Sequence, residues 1–520
     1  MKIDAEGEGG LFITWPEASR ESVRESVTSL FRSLQGQSHP AIREVVPGLE
    51  SLLVLFDPLA APAAAMIALL DACPEIPSRP MKQKQIHIPV VYGGEHGPDL
   101  GRVAALAGLT EAGAIRAHHE SRYEVAFLGF APHFPYLIGL DPRLHTPRLD
   151  TPRVRVPAGS VAIGGAQTGI YPRESPGGWN LIGRTSSALI QWLAKRNDWL
   201  EPGDRVLFER VGPLSDPTRW PAHVAPSDGA AVRIGTIVSG GLLTTVQDGG
   251  RSGMAHRGVS PSGPMDRLSF ALTNRAVGNP TLAPAIELTF PGPHIEFSAP
   301  AAIAIGGARL GPRLNRSRLP LYRRVDVRPG DTLTFSGQEK GVWAYLALGG
   351  GVHAEPSFGS SSSDIRGGLG AGRLGPGPLF RADDAPLCGA DVPSDAAALP
   401  ENGQEIRVLR SRHPWAPELG GALVEFGLAR DRSGYRASTP LFPQAAGDLP
   451  SEGVPPGTIQ LLSDGRLIFL LAERPTTGGY SKVGFVASVD QRLVAQTPAG
   501  SRVVLRTVGR DEALAALREQ

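Results

Sequence analysis

The 520-residue sequence predicts a mainly β protein with a small α/β unit at its N-terminus, and three observations carry that expectation. Gly and Pro together exceed a fifth of the chain with no repeat period, while 41% of residues are apolar. That combination suits turn-rich packed β structure rather than disorder. From Gln85 onward, short apolar runs of strand length recur between Gly, Pro, Asn and Asp. Sustained helical spacing is concentrated near the start, where Val23, Val27, Leu30, Phe31 and Leu34 define one apolar face.

In residues 1–84, Leu11–Trp15 and Leu52–Phe56 are expected strands, and Val23–Leu34 and Ala63–Asp71 expected helices. They make a small sheet with helices on one side and a structural role. Ile86–Tyr92 and Tyr123–Leu128 then read as strands, with Asp99–Leu109 a helix between them. Val161–Ile163 reads as a buried strand, followed by two polar turns, Gln167–Pro172 and Pro176–Trp179. Bare glycines at Gly164-Gly165 and Gly177-Gly178 would let backbone approach a ligand. Ser187–Lys195 reads as a short helix, and Glu201–Asp204 turns into a strand at Arg205–Phe208. That Pro-Gly-Asp ending is echoed before Thr332–Phe335 and, as Pro-Ala-Gly-Ser, before Arg502–Leu505. Thr168–Tyr171 is echoed by Thr477–Tyr480. The echoes point to a repeated barrel-like unit, with Pro213–Ala230 as the linker between halves. The second half opens on a strand region, Gly235–Val246. A helix follows Ser262-Gly263-Pro264, with Ser262 as candidate cap and Asp266 in the first turn, where a carboxylate suits the positive helix end. Leu268, Ala271, Leu272 and Val277 form its apolar side, and Gly278-Asn279-Pro280 stops it.

Particular stretches carry a family resemblance. Val156–Thr185 (VPAGSVAIGGAQTGIYPRESPGGWNLIGRT) and Gly129–Leu137 (GFAPHFPYL) together closely resemble the allophanate-hydrolase-subunit-1 family. That family includes the B subunit of bacterial ATP-dependent 5-oxoprolinase and part of the carboxyltransferase region of urea amidolyases. His133 departs from its pattern, which carries Gly there. Thr244–Asp266, Asn274–Asn279, Gly349–Asp364, Asp431–Arg436 and Thr476–Tyr480 resemble the allophanate-hydrolase-subunit-2 family, which includes the 5-oxoprolinase C subunit. Ser433 stands where that family carries Met, and Ser481 where it carries Pro. The resemblance covers nearly the whole chain. It implies a B-type half, with a small α/β domain over 1–84 and a cyclophilin-like β-barrel over 85–225. It implies a C-type half over 231–520 made of two related β-barrels.

Composition excludes several functions. Charge is balanced, 52 basic against 51 acidic residues, and no Lys/Arg run marks a nucleic-acid surface. The opening MKIDAEGEGG lacks the apolar core of a signal peptide, and no apolar run reaches membrane-spanning length, so the expected location is cytoplasmic. Cys73 and Cys388 supply neither a disulfide framework nor a zinc site. Phosphate-loop, nucleophile-elbow and H-E-x-x-H patterns are absent. Gly370–Gly375 matches G-x-G-x-x-G, but it follows a Ser-rich loop and precedes no helix that would hold a pyrophosphate. His118-His119 is expected to be solvated rather than metal-ligating.

The candidate catalytic residues are Arg251, His256 and Asp266, gathered in one loop–helix segment. Arg251 before a helix start suits a carboxylate or phosphate. His256 is a candidate acid or base because its reference pKa is near neutrality. Asp266 holds Arg251, orients a substrate amide or caps the helix. Candidate substrate- or nucleotide-binding residues are His133, Gln167, Tyr171, Arg184, Ser262, Asp364, Arg432 and Tyr480, while Trp179 reads as packing. The Ser360–Asp364 run is either a linker or, by resemblance, a turn facing the site. The resemblance implies a component of ATP-dependent 5-oxoprolinase, opening 5-oxo-L-proline to L-glutamate with ATP and magnesium, beside a separate A subunit. Two alternatives stay open. One is the carboxyltransferase part of a biotin-dependent urea or amide carboxylase, with carrier and carboxylase in trans. The other is a non-catalytic regulator of a histidine kinase. Homo-oligomerisation is also left open.

Overall fold

The computed structural model describes the chain except residues 38, 74–83, 187–199, 213–230, 383–388, 391, 394–395, 444–448 and 520. The helix expected at Ser187–Lys195 and the linker at Pro213–Ala230 therefore lie outside the described residues. The N-terminal unit is a four-stranded antiparallel sheet in the order Lys2–Glu6, Gly10–Thr14, Ser51–Phe56, Ile42–Pro47. Helix Arg20–Gly36, capped by Ser19, and helix Ala63–Asp71 cover one face, with Val23, Val27, Leu30 and Phe31 packed on Leu11, Leu52 and Val54. Ser51–Phe56 is buried on both faces, which accounts for its unbroken apolar run. Its second face, with Phe12, Val46, Leu53 and Leu55, is covered by Ala255 of the second half.

A closed seven-stranded barrel follows. Gln85–Tyr92 pairs in turn with Asn180–Arg184, Ser160–Gly164, Gln167–Ile170, Pro135–Ile138, Tyr123–Leu128 and Arg205–Arg210, and the last strand closes in parallel register on the first. Helices Leu100–Leu106 and Glu111–His119 pack on its core. The second helix has no clear amphipathic signature in sequence; Thr110 caps it by accepting from the Gly113 amide at 3.1 Å. It carries His118 inward, so the expectation of a solvated His118 is corrected: the residue is buried. The Thr168 hydroxyl donates to the Ala162 carbonyl and so accepts from His118 Nε2 at 3.0 Å, which leaves Nδ1 to accept from the Tyr92 hydroxyl at 2.8 Å. This is the neutral Nε2–H form, and burial pushes its pKa down to about 3.

The two expected turns also differ. Gln167–Ile170 is a strand paired on both sides, because Thr168 and Ile170 are wholly buried. Ser175–Gly177 forms a bulged ribbon with Arg153–Val156. The bare Gly164 admits the Trp179 indole, since a β-carbon there would sit 2.5 Å from Nε1. Trp179 packs with Phe127, Phe134, Tyr136 and Tyr171, so this glycine serves aromatic packing.

In the second half, two sheets share one core over Val232–Arg381: one of six strands, one of five. Beyond them lies a second closed barrel. Its ring order is Gln404–Arg410, Ser481–Val486, Thr458–Leu461, Leu467–Leu470, Gly434–Ala437, Leu423–Asp431 and Arg502–Thr507, again closing in parallel. Strand for strand this repeats the first barrel. The ribbon Glu452–Gly453 with Thr477–Gly478 occupies the place of Arg153–Val156 with Ser175–Gly177. Gly478-Gly479-Tyr480, leading into Ser481–Val486, is thus the counterpart of Gly177-Gly178-Trp179, not of Thr168–Tyr171. The turn before Thr332–Phe335 belongs to the open pair of sheets and to a different strand order.

The ends of the chain are tied together. Glu6 pairs with Lys482 at 2.8 Å and with Arg412, both cations lying over Phe12. Glu8 accepts from the Ser488 amide at 2.9 Å. Leu49 donates to the Ser451 carbonyl at 2.9 Å. The N-terminal sheet is therefore docked on the C-terminal barrel through buried ion pairs, and the two halves form one body.

Candidate functional site

Three loops meet where the first barrel touches the second half. The first is Gly129–Pro135. Phe130 and His133 adopt left-handed backbone, φ 63° and 67°, which explains why position 133 suits Gly. The His133 amide donates to the Arg257 carbonyl at 3.0 Å, and Leu128 bridges to Arg257 in parallel fashion. Gly129 faces Thr477 so closely that a β-carbon would overlap its hydroxyl, and one on Gly258 would sit 2.5 Å from the Ala131 carbonyl. Glu44 anchors the second loop, accepting from the Gly253 and Ala255 amides at 2.7 and 3.0 Å.

The third loop is the Ser-rich run, which is ordered rather than a linker. Ser362 and Ser363 are wholly buried. The run wraps Asp248, whose carboxylate accepts from the Ser360 and Ser362 hydroxyls at 2.5 and 2.6 Å, the Gly250 amide at 2.9 Å and the Ser361 amide at 2.7 Å. Burial alone would raise the Asp248 pKa; these donors outweigh it and hold it below the usual range. From the first half, Arg173 donates to the carbonyls of Gly367 and Gly368 at 2.8 and 3.2 Å.

Two buried arginines organise the junction. Arg432, 1% exposed, donates from Nε to Glu473 at 2.5 Å, from Nη1 to Glu287, and from Nη2 to the Gly263 carbonyl at 2.6 Å. Glu287 also accepts from the Met265 amide at 2.8 Å and the Tyr345 hydroxyl at 3.0 Å. Arg251, 3% exposed, donates from Nε to the Ser357 carbonyl at 3.0 Å and from Nη2 to the Ser362 carbonyl. Its Nη1 has no hydrogen-bond partner among the described residues, and neither do the buried hydroxyls of Ser262, Thr476 and Thr477. Asp364 accepts from the Gly367 amide at 2.6 Å. Burial, with Glu473 nearby, pushes its pKa up to about 6 against the opposing pull of Arg251 and Arg173. The junction thus offers unengaged donors beside a carboxyl that titrates close to neutrality. Among the described residues no three of His, Cys, Asp or Glu gather as a metal-binding set. No helix among them is long and apolar enough to cross a membrane.

Residues 1–200 match the carboxyltransferase domain, subdomain C and D, and residues 257–507 match the carboxyltransferase domain, subdomain A and B. The 5-oxoprolinase B subunit of Escherichia coli O157:H7 is 45% identical over 170 residues, 32% of this chain and 78% of that protein. The 5-oxoprolinase C subunit of Escherichia coli strain K12 is 30% identical over 305 residues, 55% of this chain and 94% of that protein. The chain belongs to the family of fused 5-oxoprolinase B and C subunits. A crystal structure of TTHA0988, 31% identical, superposes with TM-score 0.84 over 96% of this chain and 99% of that one. Urea amidolyase of Lachancea kluyveri is 44% identical over 135 residues, 26% of this chain but 7% of that protein.

Within this B/C fusion the expected site residues separate. Arg251 and Asp364 come together at the junction, with Ser262 on the adjoining loop. Ser262 is not the helix cap; its backbone is left-handed, φ 55°. The cap of helix Arg267–Ala276 is Asp266, which accepts from the Ser269 amide and hydroxyl at 3.0 and 2.7 Å and from Gln496 at 3.0 Å. It is wholly buried, and of the three roles expected for it the structure shows the cap. The helix buries Ser269, Phe270, Thr273, Asn274 and Ala276; Leu268, Ala271 and Leu272 are only partly covered. His256 packs on Phe31 of the N-terminal unit, ring centroids 5.5 Å apart. Burial, then Arg257, pushes its pKa down to about 4, away from an acid–base role near neutrality.

Every nitrogen of Arg432 is engaged within the protein, so it is a lock rather than a ligand contact. Tyr171 is buried edge-on against Phe130 and Phe134, and burial pushes its pKa up to about 12. His133 stacks obliquely near Phe358, 5.7 Å between centroids, and burial pushes its pKa down to about 4. Gln167 opens one barrel strand and Arg184 ends another; each keeps a buried nitrogen, Nε2 and Nε respectively, without a partner among the described residues. Tyr480 is 52% exposed, outside the buried group. Sequence reasoning missed Glu473, Glu287, Asp248 and Arg173. Glu473-Arg474 did carry a signal: two charges directly after the apolar run Leu467–Ala472.

Proposed function

We propose that this chain is the joined B and C component of an ATP-dependent 5-oxoprolinase, opening 5-oxo-L-proline to L-glutamate together with a separate A subunit. The observation that carries the reading is the junction between the B-like and C-like halves, where Arg251 keeps a buried nitrogen unengaged beside Asp364 and Glu473. A lactam carbonyl is a poor electrophile, and a site that opens it must stabilise charge on oxygen and supply a proton to nitrogen. Transfer of phosphate from ATP to that oxygen would make it a leaving group. The guanidinium and the near-neutral carboxyl supply the first two needs; the nucleotide is assigned to the assembled complex.

The test is reconstitution. The purified chain alone is expected to form no glutamate from 5-oxoproline and ATP, and to do so once the A component is added. Turnover by the isolated chain, or none in the mixture, would overturn the reading. A second reading, a carboxyltransferase acting on a urea-like amide, is favoured by the matched carboxyltransferase families. It predicts carboxylation of an amide when a biotinylated carrier is supplied instead.

A further inference from the structure

We propose that a cleft on the outer face of the second closed barrel receives an extended, acidic segment of the A component, paired as an added strand along Gly427–Ala429. The inference rests on the ring-opening reading, which requires that second protein, and names where it docks.

The two closed barrels share a strand order but differ at this point. In the first, Tyr123–Leu128 faces Pro135–Ile138 with one residue to spare, Ala126, between the pairs Val125–Leu137 and Phe127–Tyr136. In the second, the corresponding pairs are Phe426–Ala437 and Arg430–Tyr435, and Gly427, Leu428 and Ala429 stand opposite Arg436 alone. On the other flank, pairing with Arg502–Thr507 ends at Glu425–Arg502. Leu428 therefore has no cross-strand partner on either side among the described residues, and it is 90% exposed. The first barrel closes with a one-residue bulge, so closure does not require the longer one. What the longer bulge adds is a stretch of strand with unladdered backbone, the feature that a partner strand recognises. An edge guarded against pairing carries Lys or Pro; this one presents leucine between two small residues.

The cleft has the size and charge for such an occupant. It holds about 510 Å³, within the range of ligand-binding clefts. Gly427–Ala429 line it together with Glu425, Arg436 and Arg466. Glu425 is paired with Arg502 at 3.0 Å, and Arg466 with Asp464 at 2.5 Å. Arg436 is exposed and has no ion-pair partner among the described residues. One guanidinium is left over where the other charges are matched, and its complement is a carboxylate. An extended acidic peptide supplies backbone groups for Gly427–Ala429, an apolar side chain for Leu428 and a carboxylate for Arg436. A small carboxylic acid supplies only the last.

The cleft and the junction are two parts of one hairpin. Its turn holds Arg432, locked to Glu287, Glu473 and the Gly263 carbonyl. Beside the turn, Asp431 pairs at 2.6 Å with Arg366, just past the Ser-rich run. The body of the hairpin carries the bulge and Arg436. A strand added at Gly427–Ala429 lies on an element that reaches the junction, where the component completing the reaction has to act. That connection selects the A component over a second copy of this chain.

Binding of the purified A component to the full chain is the test, followed by calorimetry and by amide hydrogen exchange. Arg436→Ala and Leu428→Asp alter exposed side chains outside the junction, and thermal melting should show both variants folded. Each should weaken binding by roughly tenfold or more. Added salt should weaken the wild type more than Arg436→Ala. Val154→Asp, at an 88% exposed position on the first barrel, is the control and should bind as the wild type does. In the complex, exchange should slow at Gly427–Ala429. Wild-type affinity in both cleft variants, or unchanged exchange at those amides, overturns the proposal. So does slowing of the same amides by 5-oxoproline alone or by raising the concentration of the chain alone, which would give the cleft to a small carboxylate or to a second copy. Docking at the cleft in a complex that makes no glutamate would sink the ring-opening reading and leave the docking site standing. Glutamate formed by complexes in which both cleft variants bind normally would do the reverse.

Discussion

Arg432 and Arg251 lie close together in the fold and are equally hidden from water, yet their surroundings differ in kind. Arg432 is bracketed by Glu287 and Glu473 and closed off by the Gly263 carbonyl. Arg251 is held by two neutral carbonyls, with its charge balanced only at longer range and one nitrogen unengaged. A buried cation with every nitrogen engaged and two carboxylates against it is already satisfied by the protein. One kept short of partners carries a desolvation cost that a bound anion or carbonyl would relieve. Burial and residue type do not distinguish the two arginines; the number of engaged nitrogens does.

Removing Arg432 should have the largest effect. Arg432→Met leaves Glu287 and Glu473 buried without their cation, which costs about 3–5 kcal/mol. Chemical denaturation should show a large loss of stability, and unchanged stability would mean the cluster is not the lock described. Arg251→Ala frees only two carbonyls, at about 1–3 kcal/mol. In the reconstituted complex it should weaken productive binding by roughly tenfold or more while the fold persists. A variant with wild-type kinetics would remove Arg251 from the site.

The junction can also be opened from the first half. Gly129→Ala places a methyl group into Thr477, so the two barrels must separate locally. Overpacking of this kind costs about 1–3 kcal/mol. Gly165→Ala is the control, since nothing lies near its missing side chain and only its φ of 63° is strained. Gly129→Ala should lower activity more than Gly165→Ala at comparable stability. Equal kinetics would argue that the junction's spacing does not matter.

Much of this was legible in the chain. The N-terminal unit and the existence of helix Arg267–Ala276 follow from apolar spacing and turn residues, while the first barrel is what the family resemblance implies. Arg251 and Asp364, which the structure brings to one junction, each lie in a motif dense in Gly and Ser. Asp266 and Arg432 are engaged by the protein itself, which the sequence does not reveal, because a charged residue in a motif looks the same whether its partners are a ligand or distant parts of the chain. Glu287 and Glu473 sit 186 positions apart and meet only through Arg432. His118 was misplaced because helix Glu111–His119 has a weak apolar face, and a buried histidine is stabilised by partners from two other strands.

His118 extends the comparison to a neutral group. Both its nitrogens are engaged, and its pKa is pushed down to about 3 against an ordinary value of 6.5. Above pH 6.5 both folded and unfolded states are neutral there, and no contribution depends on pH. As pH falls from 6.5 toward 3, the unfolded chain takes a proton that the folded chain refuses, so stability falls. His118→Gln should flatten that acid limb in denaturation curves taken at several pH values. An unaltered slope would mean that His118 is not the group responsible.

His133 should show the smallest effect and decides what its ring is for. Its left-handed backbone costs an L-residue about 1–2 kcal/mol, which His133→Gly relieves. Against that, glycine adds about 0.5–1 kcal/mol of unfolded-state entropy. The lost contact with Phe358 takes away about 0.5–1.5 kcal/mol more. The terms nearly cancel, so stability should change by no more than about 1 kcal/mol. The hydrogen bond from the residue 133 amide to the Arg257 carbonyl needs no side chain and should persist. With its pKa pushed down to about 4, the ring is neutral at pH 7 and takes no charge from the site when it goes. If His133 packs the junction, kcat/KM in the reconstituted complex should stay within about threefold, less than 1 kcal/mol at 1.4 kcal/mol per tenfold. A tenfold rise in KM for 5-oxoproline with stability unchanged would instead make the imidazole a substrate contact, placing a B-half side chain beside Arg251.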